Sequence, residues 1–213
     1  MYKEQFEIVT STSEINWYMI SINEAMMSLL NKCDIDYKSL HDTVLPLWLD
    51  KYIEVGIEKR EDVNCYTYKN IKKFELFYQD YTGNEFSNNK VVVDKVGNVA
   101  KGLEISLKFA FKLAELLGKF PQSFNIVISY DNMDFIVSFY CKRKDEEWLI
   151  DDLDSYTEEA IMVMTTKFKG SCIQFAGRLT TSTEQAAQFV EINVHIRVVH
   201  AAPYVAQERS ATE

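Results

Sequence analysis

The residues of this chain with the densest chemical potential are carboxylates. Asp145, Glu146, Glu147, Asp151, Asp152, Asp154, Glu158 and Glu159 form one run between two apolar segments. Hard cations take oxygen ligands, and Asp151, Asp152 and Asp154 are spaced closely enough to supply them, but the glycine of a calcium-binding loop is missing. Paired acids also cleave glycosidic bonds, which requires a defined separation that spacing alone does not give. The run contains no histidine or cysteine. Two uses need no chemistry: a solvated face balanced by Lys142, Arg143 and Lys144, or a surface that docks on the lysines and arginines of another protein.

Other reactive groups lie far apart. Cys172, His195 and Asp152 would make a nucleophile and base only if distant segments met. His195 also falls on the polar side of an alternating strand, where a solvent-facing residue belongs. His41 precedes a helical pattern and suits a capping or solvated role, and His200 ends the last strand pattern. The cysteines at 33, 65, 141 and 172 show no CxxC spacing. They read as reduced, buried or half-buried thiols, with no metal site expected. Scattered glycines spell neither GxGxxG nor GxxxxGK[ST], and GxSxG and HExxH are also missing, so no cofactor is expected. Tyr66, Tyr68, Phe74, Phe77, Tyr78 and Tyr81 are accompanied only by Lys69, Lys72 and Lys73. A single-strand nucleic-acid platform needs a basic groove, so cross-strand packing or a protein interface is the expected use.

Charge points the same way. The net charge of -9 repels phosphate backbones, so direct nucleic-acid binding is not expected. The same field speeds encounter with a basic protein, and it also serves plain solubility. No apolar run is long enough to span a bilayer, and residues 1–14 lack the apolar stretch of a secretory signal, so cytoplasmic residence is expected. With 213 residues, 47% of them hydrophobic, and few Gly or Pro, the chain is expected to form one domain over 1–205.

Periodicity supplies the elements that must position the acidic run. Phe6 and Ile8 suggest a short strand or extended arm over 3–10. Thr10 or Ser11 with Glu14 offers a capping signal for an amphipathic helix over about 12–32, with apolar positions from Ile15 to Leu30. A second helical pattern runs from Asp36 or Thr43 to about 58, interrupted by Pro46. Together these predict a helical hairpin over 12–58. Asn64–Tyr68 and Phe74–Tyr81 read as strands, with turns at Asp80–Asn84 and Asn88–Asn89. Val91–Val93 adds a short strand. Residues 99–117 form the strongest helical pattern, stopped by Gly118. Strands over 124–130 and 134–142 flank a turn at Asp131–Met133. A third element beginning at Trp148–Ile150, a short helix over 154–160 and a strand over 161–166 follow. Val190–Val198 alternates as a half-buried strand, with 168–179 as its mate, so a C-terminal β-hairpin is expected over 168–200 and a disordered tail over 206–213. Every lysine lies at or before Lys169, whereas the tail carries only Arg178, Arg197 and Arg209. The predicted fold class is α+β, with helices packed on one face of a mainly antiparallel β-sheet.

The apolar strand FIVSFYCKRK, the acidic EEWLIDDL and the segment SYTEEA returning to IMVM, preceded by the helix KGLEISLKFAFKLAELLGKFP, resemble immunity proteins of bacterial polymorphic toxin systems, including contact-dependent growth inhibition. The resemblance covers about residues 100–166. It implies a toxin inhibitor, not an enzyme, that occludes a cognate toxin domain in the cytoplasm. Many such toxins are nucleases with basic grooves. On that expectation the toxin-binding residues are Asp145, Glu146, Glu147, Trp148, Asp151, Asp152 and Asp154, with acids replacing phosphate and Trp148 serving as anchor or as core. Two other classes stay open. One is a homo-oligomeric structural or regulatory protein paired through the Val190–Val198 strand, and the other is a small enzyme using Cys172, His195 and Asp152. The inhibitor itself is expected to be a monomer or homodimer.

Overall fold

The computed structural model describes residues 2–9, 15–37, 40, 44–70, 73–93, 98–146 and 148–166. The order is β1 (Tyr2–Val9), β2 (Ile15–Ile22), α1 (Glu24–Cys33), α2 (Leu47–Asp50), β3 (Val55–Arg60), β4 (Val63–Tyr68), α3 (Tyr81–Asn88), β5 (Val91–Val93), α4 (Val99–Leu117), β6 (Phe124–Tyr130), β7 (Phe135–Cys141) and β8 (Ala160–Thr166). Six strands form one sheet in the order β1-β2-β8-β6-β7-β5, and β3 and β4 form a second. Every neighbouring pair is antiparallel. The predicted α+β class is the observed one.

The sheet is held against α4 by alternation. Phe135, Val137 and Phe139 on β7, with Phe124, Ile126 and Ile128 on β6, point to one face and are buried there. Leu103, Leu107, Phe109, Ala110, Leu113, Ala114 and Leu117 of α4 meet them, each with no exposed surface. Fully burying each large side chain of this kind contributes about 1.5–3 kcal/mol. Gly102 permits the closest approach: a Cβ there would come within 2.9 Å of the Phe135 ring. From α1, Met26 and Leu30, one turn apart, join the same core. The opposite face carries a smaller cluster of Val127, Tyr140, Leu153, Ile161 and Val163, covered by Phe86, Trp148, Leu149 and Tyr156.

Helix α4 and the β6–β7 hairpin match expectation closely. Asn98 caps α4 by accepting from the Lys101 N–H at 2.8 Å. In the hairpin turn Asn132 takes a φ of 71°, and the Asp131 carboxylate accepts from the N–H groups of Met133 and Asp134. Those backbone bonds hold the Asp131 carboxyl below its usual range.

The helical hairpin over 12–58 is not what forms. Residues 15–22 are strand β2, clamped between β1 and β8. Their alternation places Tyr18, Ile20 and Ile22 in the core, a period of two inside a window that also satisfies a period near four. The helix starts later, capped by Asn23 rather than Thr10 or Ser11. The second expected helix shrinks to the single turn of α2, and Val55–Arg60 becomes strand β3, because β-branched Val55 and Ile57 find cross-strand partners on β4. Phe74–Tyr81 is not a strand, and the two turns expected at 80–84 and 88–89 are the start and end of helix α3. Trp148–Ile150 forms no regular element, and the helix expected over 154–160 is a 3-10 turn at Leu153–Ser155. The C-terminal hairpin over 168–200, the tail over 206–213, Glu147, Cys172 and the three histidines lie outside the described residues.

Candidate functional site

Helix α3 has the sequence YTGNEFSN, which offers almost no apolar stripe, yet Thr82, Asn84 and Glu85, and Asn89 just after it, are at most 1% exposed. Their burial is explained by hydrogen bonds. The Glu85 carboxylate accepts from the Tyr66 N–H at 2.7 Å, the Cys141 N–H at 2.7 Å and both terminal nitrogens of Arg143 at 2.6 and 3.0 Å. One turn on, the Asn89 amide donates to the carbonyls of Tyr66 at 2.8 Å and Phe139 at 3.2 Å and accepts from the Tyr68 N–H. Glu85 and Asn89 therefore fill the place of a strand between the edges of β4 and β7. A buried charge is tolerated only when paired and hydrogen-bonded, and this one has four donors. Burial pushes the Glu85 carboxyl up, while Arg143 and the two backbone N–H groups pull against that rise. Arg143 also donates to the Asn64 carbonyl at 3.0 Å.

The acidic run leaves this hub through a turn at Lys144–Asp145, where Asp145 adopts a φ of 68°. Glu146 does not face outward as expected. Its carboxylate accepts from both the N–H and the hydroxyl of Thr82, at 2.8 and 2.6 Å, and lies 4.0 Å from Arg143. The unsatisfied N–H groups and positive end of α3 draw it inward. Trp148 packs half-buried against Tyr78, with ring centroids 4.8 Å apart, and against Phe86 at 5.3 Å. Its indole lies on the helix backbone, and a Cβ on Gly83 would come within 2.5 Å of it. The expected anchor is thus partly core.

Asp152 is exposed but accepts from the Asp154 N–H and caps the 3-10 turn. Asp154 accepts from the Glu24 N–H at 2.8 Å, at the first turn of α1. The far end of the loop is tied by Asn23, whose amide donates to the Glu159 carbonyl at 2.8 Å and accepts from the Met26 and Ile161 N–H groups at 2.9 Å. The structure therefore splits the predicted set. Glu146 and Asp154 tie the loop to distant elements, whereas Asp145, Asp151 and Asp152 are exposed, Asp152 capping the turn within the loop.

The neighbouring segment, expected as the strand Phe74–Tyr81 with its aromatics used for packing or a protein interface, takes another form. Residues 75–79 are all exposed and run as an extended strap beside α3. Asn84 accepts from the N–H groups of Phe77 at 2.6 Å and Tyr78 at 2.9 Å and donates to the carbonyls of Tyr78 and Asp80. Asn88 pairs with both backbone groups of Glu75, at 2.9 and 2.7 Å. The signal lay in the spacing of Asn84 with Asn88 and of Glu85 with Asn89, each four apart and hence on one helix face.

Among the described residues, no reactive group gathers around this loop. Burial pushes the Cys65 thiol up to about 11 and the Cys141 thiol up to about 12, which leaves both protonated and poorly nucleophilic. Among the described residues no group of His, Cys, Asp and Glu is placed to hold a metal ion, and no helix is long and apolar enough to cross a membrane. An open groove of about 460 Å³, lined by residues including Cys33, Asp34, Asn98, Lys101 and Glu104, lies between the end of α1 and the start of α4. No curated protein and no solved structure matches the chain. The family model that does match spans residues 21–182, from the end of β2 through β8 and beyond, and the chain belongs to the uncharacterized protein PM0498 family.

Proposed function

We propose that this protein is an immunity protein that binds a cognate toxin domain in the cytoplasm and neutralises it by covering its active site. The observation that carries this reading is the internal bracing of the loop 145–154. Glu146 is fixed to Thr82, Trp148 lies on Gly83, and Asp154 is fixed to the start of α1. A loop held from within loses little freedom on binding, the condition for a tight preformed inhibitor. With Glu146 and Asp154 spent on bracing, Asp145, Asp151 and Asp152 supply the outward charge. Together with the net charge of -9 they would steer a basic partner into contact.

The proposal requires a toxin gene next to the gene for this chain, and co-expression with that toxin domain tests it. Growth should be restored, and the purified pair should associate several-fold more slowly in high salt than in low salt. Asp145→Asn with Asp151→Asn should lower the association rate and flatten that salt dependence. Growth arrest in the presence of the wild-type chain would remove the inhibitor reading. Tight binding indifferent to salt would remove the role of the acids.

A further inference from the structure

We infer that helix α3 is a latch shared by two segments: the strap 75–80 and the start of the acidic loop open and close with it as one cooperative unit, apart from the core formed by α4 and the main sheet. The inference stands whatever the chain binds, because it concerns only how the fold is fastened. Asn84 and Asn88, one turn apart on α3, hold the strap. They accept from the N–H groups of Glu75, Phe77 and Tyr78 and donate to the carbonyls of Glu75 and Tyr78. Residues 75–79 are exposed, so burial of their side chains adds little to that hold. The first turn of α3 holds the loop. Both the N–H and the hydroxyl of Thr82 donate to the Glu146 carboxylate, and the Trp148 ring lies against Gly83. The two held segments also meet each other, with the Tyr78 and Trp148 rings 4.8 Å apart.

The helix itself is tied to the body of the fold mainly by polar bonds. Glu85 accepts from the Tyr66 and Cys141 N–H groups and from Arg143, Asn89 bonds the main chain at Tyr66, Tyr68 and Phe139, and the Ser138 hydroxyl donates to the Phe86 carbonyl at 2.7 Å. Half-buried Phe86 adds apolar contact with Tyr140 and Trp148. Directional bonds that share one helix are lost together when the helix moves, so strap, helix and loop have no cheap way to part singly. Segments with few buried apolar contacts open at lower free energy than a core does. α4, with seven side chains wholly out of water, belongs to that core and not to the latch. Both segments therefore bias one closed state, and a contact made at either one stabilises the other.

The test is native-state hydrogen exchange on the full chain alone, in low denaturant. In the wild type, the N–H groups of Phe77, Tyr78, Thr82, Tyr66 and Cys141 should share one opening constant, at least about tenfold larger than that of the α4 amides. Tyr66 and Cys141 are the telling pair, since they sit in strands but donate to Glu85. Glu146→Ala removes bonds made to Thr82 and not to the strap, yet it should speed exchange at Phe77 and Tyr78 about three- to tenfold. Asn88→Ala removes bonds made to the strap, yet it should speed exchange at Thr82 and Cys141 by a similar factor. The α4 amides should keep their wild-type rates in both. If Asn88→Ala frees Glu75 alone, or Glu146→Ala leaves Phe77 and Tyr78 unchanged, the segments fray independently and the latch is overturned. Exchange of Tyr66 and Cys141 only at the α4 rate overturns it too, as does a variant that speeds α4 by the same factor, because no separate unit would then exist.

Discussion

Helices α3 and α4 are both buried, and they are buried by opposite physics. Seven apolar side chains of α4 are removed entirely from water and rest on the sheet. α3 and the Asn89 that caps it bury a carboxylate and two asparagines, whose partners are the main chains of β4, β7 and the 75–80 strap. Apolar contact is non-directional, so a helix such as α4 tolerates shape changes by degrees. Hydrogen bonding in a dry site is directional, and one lost partner strands several others. α4 stabilises the domain, whereas α3 fixes the positions of the strap and of the acidic loop.

The largest expected effect breaks the α3 side of this contrast. Glu85→Leu leaves the Arg143 guanidinium and the Tyr66 and Cys141 N–H groups without their acceptor, at a cost of about 3–5 kcal/mol in urea or thermal unfolding. Adding Arg143→Met should regain part of that loss, since removing both charges is less harmful than removing one. Phe109→Ala in α4 should cost a similar amount, about 3–5 kcal/mol, with a graded series in which Phe109→Leu costs far less and no second substitution rescues. A Glu85→Leu variant as stable as the wild type would abolish the distinction.

A middle-sized effect sharpens it through two helical glycines. Gly83→Ala drives a Cβ to 2.5 Å from Trp148, and Gly102→Ala drives one to 2.9 Å from Phe135. Both gain about 1 kcal/mol of helix propensity and lose about 1–3 kcal/mol to overpacking. Gly83→Ala should be the more destabilising and should shift tryptophan fluorescence. Trp148→Phe should relieve it.

The smallest effect is electrostatic. Hydrogen bonds from Lys108 and Lys101 hold the Glu104 carboxyl below its usual range. In the unfolded chain Glu104 binds its proton at higher pH, so its contribution is complete above the ordinary carboxylate range and is lost as pH falls through its lower folded value. Glu104→Gln should therefore lower Tm slightly at neutral pH and flatten the acid side of the Tm profile.

What was legible follows from the same contrast. Helix α4 could be read to the residue because its apolar period is long and its stop, Gly118, is local; its cap, Asn98, is equally local and was not used. The β6–β7 hairpin was legible because strict alternation flanks a turn that Asp131 closes on its own neighbours. β2 was misread because residues 15–22 satisfy two periods, and pairing with β1 on one side and with β8, far along the chain, on the other selects one. α3 was read as two turns because Asp, Asn and Gly favour turns when their side chains bond locally. The acidic loop was identified as a region, but Glu146 was assigned outward because its partner Thr82 lies 64 residues away.

The sequence by itself determined the α+β class, the central helix and hairpin, and the presence of an acidic segment after them, since composition and short-range periodicity carry that information. Tertiary structure decided that residues 15–22 and 55–60 are strands, that a polar octapeptide is a buried helix, and that Asp145 and Asp151 face out while Glu146 turns in. For 55–60 the partner is the adjacent strand β4, whose pairing a helical period in the sequence conceals. For β2 and Glu146 the deciding hydrogen-bond partners include ones distant in the chain, on β8 and at Thr82, and Glu85 needs Cys141 and Arg143. A backbone N–H or a guanidinium of that kind is available as a partner only after the fold has brought it there.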